Sequence, residues 1–168
     1  SAAVSGFAVL AEGGAVKRGF FTLFALYVAA LLGIFGSSNL ILLFIFFELM
    51  LVASWLMIGF WGGENRSAVS LKYFLYTEFG ALLLLAGILL LGSSIGTFDM
   101  LAIGTDPAIT SGVYLGVALI FAGVLVKCAS FPFHSWLPDT YSEAPYALTA
   151  VMSFSTMAVG GYVLIRVF

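Results

Sequence analysis

Between positions 20 and 61 the chain carries one charged residue, Glu48, in two apolar runs parted only by the turn residues Ser37-Ser38-Asn39. A helix that spans a bilayer needs about 20 such residues, and the recurrence of these runs constrains the fold more than any other feature. The predicted spans are 20–36, 40–61 and 69–91, then one that begins at 113 and is interrupted near Phe131-Pro132, then one from 146 to the end. A stretch rich in Gly, Ser, Asp and Pro, 92–112, separates the third from the fourth. Of 168 residues, 62% are hydrophobic and 8% charged, with a mean hydropathy of +1.17. Soluble domains are about 25% charged, so no water-facing shell is available here and lipid must be the main solvent. The expected fold is an all-α membrane protein of about five transmembrane helices, one of them discontinuous. It forms a single transmembrane domain over 1–168, in which 1–19 is an N-terminal segment or loop and 20–168 carries the five helices.

The same composition excludes several function classes. Six basic residues cannot form a phosphate-binding surface, so no nucleic-acid partner is expected. One cysteine, Cys128, and one histidine, His134, provide no ligand set for a haem, zinc or iron–sulfur centre held by this chain alone. No cofactor is expected. There is no nucleophile–base set and no phosphate loop, so no catalytic site is expected either. The opening Ser1-Ala-Ala-Val-Ser-Gly has neither an initiator Met nor the basic stretch of a secretory signal, as a processed or internal start would give.

Basic residues collect on the cytoplasmic side of membrane proteins. Lys17 and Arg18 precede the first span, and Arg66 and Lys72 lie in or beside the second connection. The first and third connections have no basic residue, and the third carries Asp99 and Asp106. The start of the first span is therefore expected in the cytoplasm. Trp61, Tyr73, Tyr76 and Trp136 lie near predicted span ends, where interfacial aromatics concentrate.

Charges inside the spans carry the chemistry. Glu48 sits near the middle of the second, in Phe44-Ile-Phe-Phe-Glu48-Leu-Met. An ionisable residue at the bilayer centre costs about 2.5–3.5 kcal/mol on the insertion scale, so Glu48 must face protein or water. The bland alternative is a neutral Glu bonded to a neighbouring helix. Lys127 lies about four turns into the fourth span, just before Pro132. It is either a charge poised beside a carboxylate or a lysine snorkelling to the interface. Broken helices at membrane depth occur only beside protein or water, so charge and break together suggest an ion path. Glu78 lies about two turns inside the third span. Six residues put it about 240° around the helix from Lys72, which argues against an ion pair between them. His134, in Phe131-Pro-Phe-His134-Ser-Trp-Leu-Pro138-Asp139, suits either a proton relay or a loop brace. Asp139 and Glu143 read as solvated acids of the last loop.

Three segments together resemble a known family. They are Phe46-Phe-Glu-Leu-Met-Leu51; Asn65-Arg66-Ser-Ala-Val-Ser-Leu-Lys72-Tyr-Phe-Leu-Tyr-Thr77; and Val126-Lys127 followed by Pro132-Phe-His134-Ser-Trp136-Leu-Pro138-Asp139 and Glu143-Ala-Pro145. The chain is similar over about 17–168 to the antiporter-like proton-conducting subunits of respiratory complex I, Mrp-type Na+/H+ antiporters and membrane-bound hydrogenases. The resemblance implies one of two inverted five-helix repeats. It also implies a Glu48/Lys127 charge pair at the centre of an ion half-channel, with Lys72, His134 and Glu78 as further relay candidates. The implied setting is a multisubunit complex in the cell membrane of a prokaryote or an equivalent energy-coupling membrane. Other membrane subunits, including one that supplies the second repeat, would be its partners, and redox chemistry would belong to them.

Three departures stand against that pattern. The last span, 151–163, has no Lys or His where family members usually carry one; its polar residues are Ser153, Ser155 and Thr156. Tyr141 stands near the place of a second His. The sequence ends after one repeat. Two functions are therefore expected to compete: an ion-translocating subunit, for H+ or Na+, and a degenerate structural repeat that bridges a redox module to an active antiporter-like subunit.

Overall fold

In the computed structural model, which describes residues 18–103 and 110–167, caps convert the apolar runs into separate helices. Asn39 holds the amides of Ile41 and Leu42 on its side-chain oxygen at 2.9 and 3.4 Å, satisfying donors that a helix start leaves without partners. The helices are α1 (Arg18–Gly36), α2 (Leu40–Trp61), α3 (Arg66–Ile95), α4 (Met100–Ile103), α5 (Ser111–Lys127), α6 (Trp136–Glu143) and α7 (Tyr146–Val167). Four of them, α1, α2, α3 and α7, are long and apolar enough to cross a membrane; α5 is a shorter apolar helix of 17 residues. The predicted segment before Arg18, Asp106 and Phe168 lie outside the described residues.

The third span exceeds its expected limits. It runs for 30 residues, from Arg66 to Ile95, so Arg66 opens the helix rather than lying in the preceding connection, and Lys72 lies well inside it. The third connection is correspondingly shorter and contains α4. It is tied to the first connection by a short antiparallel bridge, in which Leu40 donates to Phe98 and Met100 to Ser38, both at 2.9 Å.

The closest packing joins α3 to α5, and glycine makes it possible. A Cβ added at Gly80 would lie 2.8 Å from Val126 Cβ, and one at Gly87 would lie 2.6 Å from the Gly116 carbonyl oxygen. From the opposite helix, one at Gly123 would meet the Gly80 carbonyl at 2.6 Å and one at Gly116 would meet Leu91 N at 2.9 Å. The pairs 80/123 and 87/116 keep one antiparallel register, and small residues let backbones approach this way in membranes. Gly80 is thus used in packing within the chain. Gly160 is likewise internal, against Cys128 and Val124.

The fourth span breaks as predicted, but proline is not the immediate cause. The helix closes with the Ala129 amide donating to Val126 O at 3.1 Å and the Ser130 amide to Leu125 O at 2.9 Å. This is the Schellman arrangement, and Ala129 takes its left-handed position at φ 49°. The chain has left the helix three residues before Pro132. Turns carry it through 128–135, and α6 re-forms at Trp136 with Pro138 in its first turn, where a missing N–H does no harm.

Candidate functional site

The glycine register delivers Lys127 to its place. One turn beyond Gly123, Lys127 ends α5 with only 4% of its surface exposed. Its Nζ lies 5.0 Å from the centre of the Phe47 ring and 5.9 Å from that of Tyr73. Ring faces attract a cation, by about 2 kcal/mol where water is excluded. Phe47 immediately precedes Glu48, and the Glu48 and Lys127 charges act on one another across α2 and α5 without an ion pair inside 4 Å among the described residues. Glu48 Oε1 is buried and meets no hydrogen-bond donor among the described residues. Glu78, half-buried on α3, is also within electrostatic reach of Glu48. Glu48 thus feels both a cation and a second carboxylate.

Lys72 has a different environment. Its Nζ donates to Asp139 Oδ2 at 2.7 Å and to Ser135 O at 3.0 Å, and both charged side chains are well exposed. Tyr76 Oη accepts from Ser135 Oγ at 3.1 Å. Together they strap α6 and the segment before it to the start of α3. Asp139 and Glu143, expected as solvated loop acids, both belong to α6 and both are engaged. Glu143 Oε2 accepts from the Asn65 amide at 3.1 Å, and its carbonyl accepts from the Gly63 amide at 2.9 Å. His134 is exposed, its ring 5.9 Å from that of Phe131. It has no hydrogen bond or ion pair to Glu48, Lys127 or Lys72 among the described residues.

Two aromatics expected at the membrane interface are buried instead. Tyr73 and Trp136 are each 1% exposed, with ring centres 5.4 Å apart. The Trp136 indole donates to Val126 O at 3.2 Å, at the broken end of α5. Tyr73 shares a hydrogen bond of 2.7 Å with Ser54 on α2. Sequence reasoning also missed Tyr27, whose hydroxyl bonds Ser155 on α7 at 2.5 Å. Ser54 carried a faint signal, being a hydroxyl inside an otherwise apolar run; Tyr27 carried none. Of the three polar residues noted on α7, Ser153 faces outward while Ser155 and Thr156 are buried.

The arrangement is a buried cation within electrostatic reach of a half-buried carboxylate, at a helix break, in a membrane protein. Comparisons with known proteins identify the family. The family described as NADH:quinone oxidoreductase/Mrp antiporter, TM, matches residues 37–168. NADH-quinone oxidoreductase subunit M of Rickettsia felis is 38% identical over 148 residues, covering 86% of this chain and 30% of that protein. F(420)H(2) dehydrogenase subunit M of Methanosarcina mazei is 37% identical over 160 residues, covering 88% of this chain and 31% of that protein. A chain of respiratory complex I from Thermus thermophilus with bound NADH superposes with a TM-score of 0.81 at 27% identity, over 88% of this chain and 32% of that one. The chain therefore spans about 30% of the length of these relatives. Over that length this integral membrane protein belongs to the NADH:quinone oxidoreductase/Mrp antiporter transmembrane family.

Proposed function

We propose that this chain carries one ion half-channel of a multisubunit respiratory or antiporter complex, with Glu48 and Lys127 as the relay pair. The observation that carries the reading is the burial of Lys127 against two ring faces, within electrostatic reach of Glu48 but outside ion-pair contact. A tight buried ion pair would hold both charges fixed. A lysine held by ring faces and a more distant carboxylate can release or take a proton when a neighbouring charge changes. The unpartnered Glu48 oxygen is an acceptor at membrane depth, where an apolar residue would have been less costly. Glu78 adds a second carboxylate that biases Glu48. Lys72 supports the relay by fixing the broken span, and His134 lies at its solvent end.

On this reading, residues 20–168 form one five-helix repeat. The partners are other membrane subunits of the complex, one of which supplies the second repeat, and the surrounding lipid. The absence of Lys and His from 151–163 favours a second reading, a structural repeat that bridges a redox module to an active subunit. Ion translocation by the intact complex in vesicles separates the two. Glu48→Gln and Lys127→Met should each reduce translocation at least tenfold with assembly retained. Unchanged translocation in both variants would leave the structural reading.

A further inference from the structure

Where α7 has no lysine or histidine over 151–163, hydroxyl groups meet. Tyr27 Oη and Ser155 Oγ are 2.5 Å apart and Ser54 Oγ and Tyr73 Oη 2.7 Å apart, and the Tyr141 hydroxyl lies near Thr156. Tyr27, Ser54, Tyr73, Ser155 and Thr156 are all 3% exposed or less. They come from α1, α2, α3 and α7, while Tyr141 comes from α6. Tyr27, Ser54, Tyr73 and Ser155 each lie seven to nine residues from the helix end on the same side of the bundle. At 1.5 Å per residue they therefore share a layer roughly 10–14 Å deep. Tyr73 is within electrostatic reach of Tyr27, Tyr141 and Glu48, and Lys127 lies over its ring. The three pairs are thus one cluster that begins at the Lys127 ammonium.

Packing alone does not explain the cluster. Phe and Ala would fill the same space without placing hydroxyls away from water, which is costly unless every group is bonded. The hydrogen bonds also have a choice of direction. In Tyr27/Ser155 and Ser54/Tyr73 either oxygen can be the donor. Ser54 Oγ additionally reaches the Met50 and Leu51 carbonyls at 3.0 and 2.9 Å, so its hydrogen has alternative acceptors. Reversible donor direction is what a proton wire requires.

We propose that the pairs Ser54/Tyr73, Tyr27/Ser155 and Tyr141/Thr156, with water molecules between them, conduct protons from Lys127 across to α7 in place of the lysine or histidine absent from 151–163. Resting on the relay reading above, this names the ion as H+. Lys127 gives up one ammonium proton and becomes a neutral amine. Each hydroxyl oxygen or water in turn accepts a proton and passes its own hydrogen onward. The last proton leaves on water, and every hydroxyl ends neutral. No bond other than O–H and N–H is made or broken. Sodium cannot follow, because a metal cation needs several oxygens converging on one point, and these oxygens are paired with each other in separate places.

The test uses the intact membrane complex in sealed vesicles, with proton movement read by a pH dye and assembly and thermal stability measured alongside. Replacing both partners of a hydrogen bond by apolar groups of similar shape is close to neutral for folding. The double variant Tyr27→Phe/Ser155→Ala should therefore assemble normally yet translocate protons at least tenfold more slowly. Tyr27→Phe/Ser155→Thr, which keeps one hydroxyl, should recover part of that loss. The outward-facing Ser153→Ala should match the wild type, and translocation should persist without sodium. If the double variant fails to assemble, Tyr73→Phe alone carries the same test. Wild-type rates in the hydroxyl variants, with Lys127→Met inactive, would overturn the conduit and leave the relay. Wild-type rates in all of them, Lys127→Met included, would remove both, and a strict sodium requirement would overturn the conduit.

Discussion

Lys72 and Lys127 are the same residue in opposite circumstances. Lys72 stands at the rim, bonded at 2.7 Å to an exposed carboxylate, and such pairs contribute about 0.2–1 kcal/mol because water and salt screen them. Lys127 is sealed from solvent, and its nearest compensation is two aromatic rings and a carboxylate outside contact distance. The family resemblance makes both of them relay candidates. The difference teaches that a charge in a membrane chain acquires its role from what opposes its burial. Lys72 is held by a partner that fixes it; Lys127 is held by surroundings that, on the relay reading, leave its proton free to move.

That contrast can be broken by experiment. The largest effect is expected from Lys127→Met, which should reduce ion translocation at least tenfold while assembly persists. Equal losses in Lys72→Met and Lys127→Met would abolish the distinction. Next comes Gly123→Val, whose Cβ would meet the Gly80 carbonyl oxygen at 2.6 Å and Leu84 N at 2.8 Å. Backbone cannot give way as a flexible side chain does, so this variant should lose about 3 kcal/mol in thermal unfolding in detergent, the upper end of overpacking costs, and should displace Lys127 as well. Ala129→Gly should move the other way. Removing the Cβ from a left-handed position should raise stability by about 1 kcal/mol without changing translocation. The smallest change is expected from Lys72→Met, a loss of about 0.5 kcal/mol, with translocation within twofold of the wild type.

The helices were legible in the sequence because solvent discriminates: long apolar runs have only one economical place, and Asn39 marked a start that its side chain does cap. Glu48 and Lys127 were legible as charges at membrane depth for the same reason, since each interrupts a run that lipid would prefer unbroken. The hydroxyl cluster was not. A tyrosine near a span end reads as interfacial, and the partners that bury Tyr73 and Tyr27 lie 19 and 128 positions away. The position of the break was visible through Pro132, but its cause was not, because alanine gives no sign of a left-handed backbone. Nor did the acids of the last loop announce that α6 would turn Asp139 toward Lys72.

The paired glycines of α3 and α5 bear on how any relay through Lys127 can move. With backbone against backbone at 80/123 and 87/116, α5 can neither slide by a residue nor roll without forcing main-chain atoms together. The track is rigid. Movement at this point is left to the flexible methylene arm of the lysine, a short lever on a fixed mount that swings between the rings and whatever accepts its proton. Conformational coupling to the rest of a complex would then arrive through electric field and hydration at the lever's tip rather than through displacement of the helix that bears it.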